Sequence, residues 1–267
     1  MKTAAATVTD ILTAENNIAV PWQAEQFRFT GFLEPLFDVT AESAFRAFTG
    51  SEPEHVSENR QQAVQTASGM FNKFKLDVVK IPGRLDMVLH SSEESSALAA
   101  GVSVLGLWTD IISVFDSGVR AWLQTQPKLQ RLAFGTIVVD EVNDRVAGYK
   151  VLNQLLPKVD IDIEHSSDFV YQINRPRLVK FDDHLSIKIN RLSKWSTVAV
   201  VSQTLTVVAK ERLRPSNVVA SIRNYSRAEL DLSTDPEVLE LPSSQIEPIW
   251  KKLVDLAREL LLKGDVA

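Results

Sequence analysis

The sequence contains no cysteine, which removes disulfides, thiolate zinc sites, iron–sulfur clusters and thiol nucleophiles together. No stretch approaches the roughly 18 consecutive apolar residues that a membrane-spanning helix requires. Met1–Asp10 carries one Lys and small residues but no apolar run, which argues against a secretory signal. Glycine is sparse, at 10 of 267 residues, and neither GxGxxG nor GxxxxGK followed by Ser or Thr occurs, so dinucleotide and P-loop sites lack their phosphate-cradling turns. No GxSxG elbow is present, which leaves an α/β-hydrolase without its nucleophile. The four histidines, His55, His90, His165 and His184, form no HExxH or HxH pair, against a zinc hydrolase. These absences point to no catalytic set, no cofactor and no membrane, with a reducing cytoplasm as the natural setting.

Composition is ordinary by contrast. The chain is 45% hydrophobic and 24% charged, which fits a folded protein with a sizeable core. Met1–Trp22 has no period and reads as a loosely tied arm. From there alternating strands and helices divide into an N-terminal half, 23–128, and a C-terminal half, 129–267. In the first half, Phe27, Phe29 and Leu33 share one parity against Arg28 and Thr30, as in a half-buried strand. Thr40 caps a helix over Ala41–Thr49 that Gly50 stops, and Ser51–Ser68 reads as a loop. Pro82-Gly83 joins Phe74–Ile81 to Arg84–His90 in a hairpin. Trp108 to Leu123 carries a helical apolar stripe.

The second half repeats this vocabulary. A strand over Arg131–Val139 precedes a helix capped by Asp144. Four strands follow at Asp168–Asn174, His184–Leu192, Ser196–Val208 and Val218–Leu232. Val198–Val208 is apolar on both parities, as a central strand would be. A closing helix starts at a capping box, Ser244 to Glu247. The expected class is α+β, mainly antiparallel sheet backed by long helices, with an element order that suggests two related halves.

Two residue sets carry candidate chemistry. Asp160, Asp162 and Glu164 alternate with Ile161 and Ile163. If extended, the segment aligns three oxygen ligands suited to a divalent cation, or else forms the solvated face of an edge strand. The second set is electrostatic. Residues 170–227 hold eleven Lys/Arg and three acids, residues 1–169 hold fourteen and twenty-two, and residues 228–267 hold four and nine. The three nets, +8, −8 and −5, sum to the formal −5. Arg175, Arg177, Lys188, Arg191, Arg212 and Arg214, with Tyr171 and Trp195 to stack on bases, form a candidate nucleic-acid or anion surface. The competing expectation is that this basic segment is neutralised by the acidic N-terminal half or across a dimer.

Phe169–Arg177, Glu229–Asp235 and Leu253–Ala257 occur in that order after a strand–hairpin–helix first half. In this layout the chain resembles a sporadically distributed family of uncharacterised bacterial proteins of similar length. The resemblance implies a bacterial cytosolic α+β protein and brings no activity or catalytic positions with it. The leading functional expectation is a non-enzymatic binding or regulatory protein, working through protein–protein contact with a partner or with itself as a homo-oligomer. Nucleic-acid binding through 170–227 is the alternative, and a metal-dependent nuclease or phosphodiesterase using Asp160, Asp162 and Glu164 is the third.

Overall fold

The computed structural model describes residues 20–34, 38–92, 101–125, 127–204, 219–237 and 240–266. Its centre is one antiparallel sheet of eleven strands, and four α-helices accompany it among the described residues. The strands are β1 (Gln23–Leu33), β2 (His55–Asn59), β3 (Val64–Phe71), β4 (Phe74–Ile81), β5 (Arg84–His90), β6 (Gly106–Leu107), β7 (Leu129–Val142), β8 (Val170–Asn174), β9 (Arg177–Lys180), β10 (Ser186–Thr204) and β11 (Val219–Thr234). The helices are α1 (Ala41–Thr49), α2 (Trp108–Leu123), α3 (Arg145–Leu155) and α4 (Ile246–Lys263). Strand order is β2-β3-β4-β5-β1-β7-β11-β10-β8, with β6 beside β1 and β9 beside β10. The sheet is therefore continuous across residue 128, because β1 and β7 pair directly.

Local signals produced most of these elements as expected. Thr40 and Ser43 form a reciprocal capping box for α1, and Gly50 ends it. Gly83, at φ 72°, supplies the turn between β4 and β5, a conformation that costs other residues a steric clash. The Asp144 side chain accepts from the Ala147 N–H at 2.7 Å and starts α3.

Four readings need correction. The stretch 51–68 holds β2 and the start of β3 rather than a loop. His184–Leu192 and Ser196–Val208 are not two strands, because β10 runs unbroken through Ser186–Thr204. Beyond Ser196 it pairs only with β11 among the described residues, first as an edge strand and from Val200 to Thr204 as half of a two-stranded ribbon, instead of as a central strand. Val201 and Ile222 face each other there and are exposed. Finally, α4 is entered through a 3-10 turn, Ser243–Gln245, and its first turn has no side-chain cap. Glu247 pairs with Arg120 of α2 instead of closing a box on Ser244.

Strand parity decides where the core lies. Phe27 and Phe29 of β1, Leu85, Met87 and Leu89 of β5, and Leu132 and Phe134 of β7 all point to one face, where α1, α2, α3 and α4 bury them. Trp22 joins them at 5% exposure and donates Nε1–H to the Leu261 carbonyl, so the last residue of the segment read as an arm belongs to the core. Gly118 of α2 lies against the Phe48 ring of α1, where a Cβ would fall 2.3 Å from ring carbon. The opposite parity, beginning with Arg28, Thr30 and Phe32, contributes nothing to that core cluster.

Candidate functional site

The helix-free face is an ordered grid, because antiparallel register fixes which side chains are neighbours. One row runs Ile81, Arg84, Phe32 and Arg131. The next runs Val79, Asp86, Thr30, Ala133, Ser233 and Asn190. A third runs Asp77, Val88, Arg28, Gly135, Asp231, Leu192 and Asn174. A fourth runs Lys75, His90, Gln26, Ile137, Glu229, Lys194 and Gln172.

This face is concave. A cavity of about 470 Å³ is lined both by Arg84 of β5 and by Asn174 of β8. Those strands are five steps apart in the sheet, about 24 Å if it were flat. One cavity lined from both ends of that span fits a sheet that curls toward its open side. A second cavity of about 210 Å³ brings Gln26 and Arg28 of β1 together with Gln172 of β8 in the same way.

Inside the trough most charges are paired across strands. The Arg28 guanidinium reaches over β7 to Asp231 at 2.5 Å. It can lie flat because residue 135 is glycine, and a Cβ there would sit 3.1 Å from its terminal nitrogen. Asp86 accepts from Thr30 at 2.5 Å and from Arg84 at 2.9 Å. Lys194 donates to Glu229 at 3.0 Å, and Lys188 pairs with Asp235 just past β11. Across these rows and their continuation to Asp235 and Lys188 stand six cations (Arg28, Lys75, Arg84, Arg131, Lys188, Lys194) against five carboxylates (Asp77, Asp86, Glu229, Asp231, Asp235), so the trough is close to neutral, with a net of +1 when His90 is neutral and +2 when it is protonated.

His90 is the titrating member of the trough. Its Nε2 lies 2.7 Å from Asp77 and its Nδ1 2.9 Å from the Ser91 carbonyl. Both ring nitrogens face acceptors, so only the imidazolium can donate to both. Its pKa is raised, chiefly by the hydrogen bond to Asp77 and against the effect of burial, while that of Asp77 is lowered chiefly by the same bond. The His90 contribution is complete below its unfolded pKa of about 6.5 and fades as pH rises through the elevated folded value. That of Asp77 is present above about pH 4 and fades as pH falls through the depressed folded value. We expect the urea midpoint to drop from pH 6 toward pH 8, and His90→Gln to flatten that slope. An NMR titration placing the His90 ring at or below an ordinary pKa would contradict this.

The basic segment takes a different position from the expected surface. Arg175 donates to Asp265 at 2.5 and 2.8 Å, and Tyr171 donates to the same carboxylate at 3.0 Å. Arg177 pairs with Glu259 of α4 at 2.8 Å. Arg191 is 2% exposed and donates to the Val266 carbonyl. Trp195 is 0% exposed and packs against Trp22, so it cannot stack on a base. All five lie on the helix-covered side, and among the described members of the group only Lys188 reaches the open face. Arg212 and Arg214 lie outside the described residues. Among the described residues the arginines of the segment pair within the chain, largely with the acidic C-terminal segment rather than the N-terminal half.

The carboxylate set is also rearranged. Residues 160–164 run as irregular chain into a turn that begins at Ile163, not as a strand, and Asp162 accepts from the backbone and ring of His165 at 3.0 and 3.1 Å. Among the described residues no group of three or more His, Asp or Glu could hold a metal ion. The strand reading failed because Ile161 alone of the two isoleucines is buried, and the chain turns around it. What sequence reading missed is the row Arg84–Phe32–Arg131. The parity of Arg28 and Arg84 was legible, but nothing local reveals that β1 sits between β5 and β7.

No helix among the described residues is long and apolar enough to cross a membrane. No protein-family model matches the sequence, and no curated protein matches it either.

Proposed function

We propose that the chain is a non-enzymatic binding protein that acts through protein–protein contact, within a homo-oligomer or a larger complex, with its concave sheet face as the receiving surface. The observation that carries this reading is the near-neutral, cross-strand-paired trough. Protein interfaces match mixed charge with mixed charge, whereas a nucleic-acid backbone calls for a surplus of Lys and Arg. Nucleic-acid binding through 170–227 has less support, since Arg175, Arg177 and Arg191 are already engaged beneath α4. In this reading the protein works in the cytoplasm. Its halves are related units: β1 and β7 each precede a helix, each pair with the last long strand of their own half, and each half closes with α2 or α4.

The test places a photo-crosslinking residue at Gln172, on the trough, and separately at Asn153 on α3. Crosslinking to protein from position 172 and not from 153 is the expected result. Equal labelling from both positions, or sub-micromolar nucleic-acid binding that collapses with salt, would overturn the proposal.

A further inference from the structure

We infer that the row Arg84–Phe32–Arg131 is a receptor for an acidic side chain on a peptide segment of the partner, an inference that rests on the proposed function and names the chemistry of its partner. Arg131 is the odd cation of the trough. Arg28, Arg84, Lys188 and Lys194 each have a carboxylate within ion-pair distance. Arg131 has none among the described residues. Its Nε donates to the Thr234 carbonyl at 3.3 Å, and its guanidinium lies over the Phe32 ring, 4.5 Å from the centroid. Arg84 flanks the same ring from the other side at 5.9 Å.

The carboxylate that acts on Arg131 through space, Asp231, makes its close ion pair with another arginine. Asp231 is held by Arg28 and Asp235 by Lys188. The terminal nitrogens of Arg131 therefore keep their donors, at the mouth of the cavity that Asn174, Asn190 and Ser233 also line. A guanidinium fork seated over an aromatic ring, with its Nε already bonded, keeps its terminal nitrogens to bind a carboxylate through parallel N–H donors. Phosphate shares that chemistry. A continuous phosphodiester strand does not suit the trough, because Asp86 and Asp231 lie in the two adjoining rows and would repel its next charges. An acidic residue within a peptide presents one anion at a time, which is what one unpaired arginine can take.

The probe is an end-blocked glycine–serine octapeptide carrying a single glutamate and a neutral fluorophore, with inorganic phosphate and a thymidine oligonucleotide as competing ligands. Binding should perturb the Arg131 Nε–Hε NMR signal. Arg131→Gln should weaken it about tenfold or more, and Arg131→Lys, which keeps the charge but loses the fork, should recover only part. Urea midpoints of both variants establish that they are folded, and Arg84→Gln gives a second variant should Arg131→Gln fail that control. No peptide binding, binding indifferent to Arg131 and Arg84, or tighter binding of the oligonucleotide would overturn the inference. Selective crosslinking at Gln172 without peptide binding would sink this assignment alone. Loss of that selectivity would sink the broader function with it.

Discussion

Trp250→Ala is expected to destabilise the protein by about 3–5 kcal/mol, read as a shift of the urea midpoint at constant slope. Trp250 is 0% exposed and stands where α4 meets the sheet. Its indole makes edge contacts with Phe29 of β1 at 5.3 Å and Phe134 of β7 at 5.5 Å, and a tilted contact with Phe115 of α2 at 6.3 Å. Nε1 donates to Asp116 at 2.7 Å. Removing it opens a cavity at the junction of both halves, and the ring edges around it lose favourable quadrupole contacts. Trp250→Phe, which keeps most of the volume, should cost on the order of 1–2 kcal/mol, mainly through the lost donor. Since a domain of ordinary stability holds only about 5–15 kcal/mol, the alanine variant would be close to unfolding. A midpoint shift no larger than that of an exposed substitution would contradict the assigned core.

The second large effect is expected at Asp265. Its carboxylate is 2% exposed, receives two hydrogen bonds from Arg175 and one from Tyr171, and sits near buried Arg191. Asp265→Asn leaves those cations without their anion beneath the end of α4. Breaking a buried pair by removing one partner costs about 3–5 kcal/mol, and the partial exposure of Arg175 places the expectation at about 3 kcal/mol, the low end. The pH dependence gives an independent signature. The Asp265 pKa is lowered, first by the Arg175 hydrogen bonds, so its contribution is present above about pH 4 and lost as pH falls through the depressed folded value. The variant should therefore be less stable at neutral pH and show a shallower acid limb. Equal acid limbs in the two proteins would mean that another carboxylate governs acid unfolding.

The two sites mark the boundary of what one sequence can reveal. Helix faces and strand parity were legible because their period is local: the stripe containing Trp250, the alternation around Phe27, and the turn at Pro82-Gly83 each lie within a few residues. The error over Arg191 also had a local remedy. It shares parity with Ile187 and Ile189, both buried, while Lys188 does not, and that alternation assigns the two cations to opposite faces. Charge totals hid this distinction by treating eleven bases as one surface. The trough was not legible, because it depends on β1 lying between β5 and β7, and on β11 bringing Asp231 to Arg28 across 203 positions. Likewise the i,i+4 spacing of Glu247 to Lys251 and of Glu259 to Lys263 suggests pairs along one helix face, yet the two carboxylates reach Arg120 and Arg177. Tertiary arginines with forked donors outcompete flexible, solvated lysines for the same carboxylates.

The central pairing of β1 with β7 also sets an order of events in folding. Phe29 meets Phe134, and every residue pair in that ladder is about a hundred positions apart. Loop closure over such a distance comes before any reward from contact, so β1 gains its inner neighbour late. During synthesis the first half can zip β3, β4 and β5 by short hairpins, while one edge of β1 stays open until β7 emerges. That edge, a row of unpaired N–H and C=O groups beside the apolar face of Phe27 and Phe29, is where an incomplete chain is most exposed to wrong strand partners.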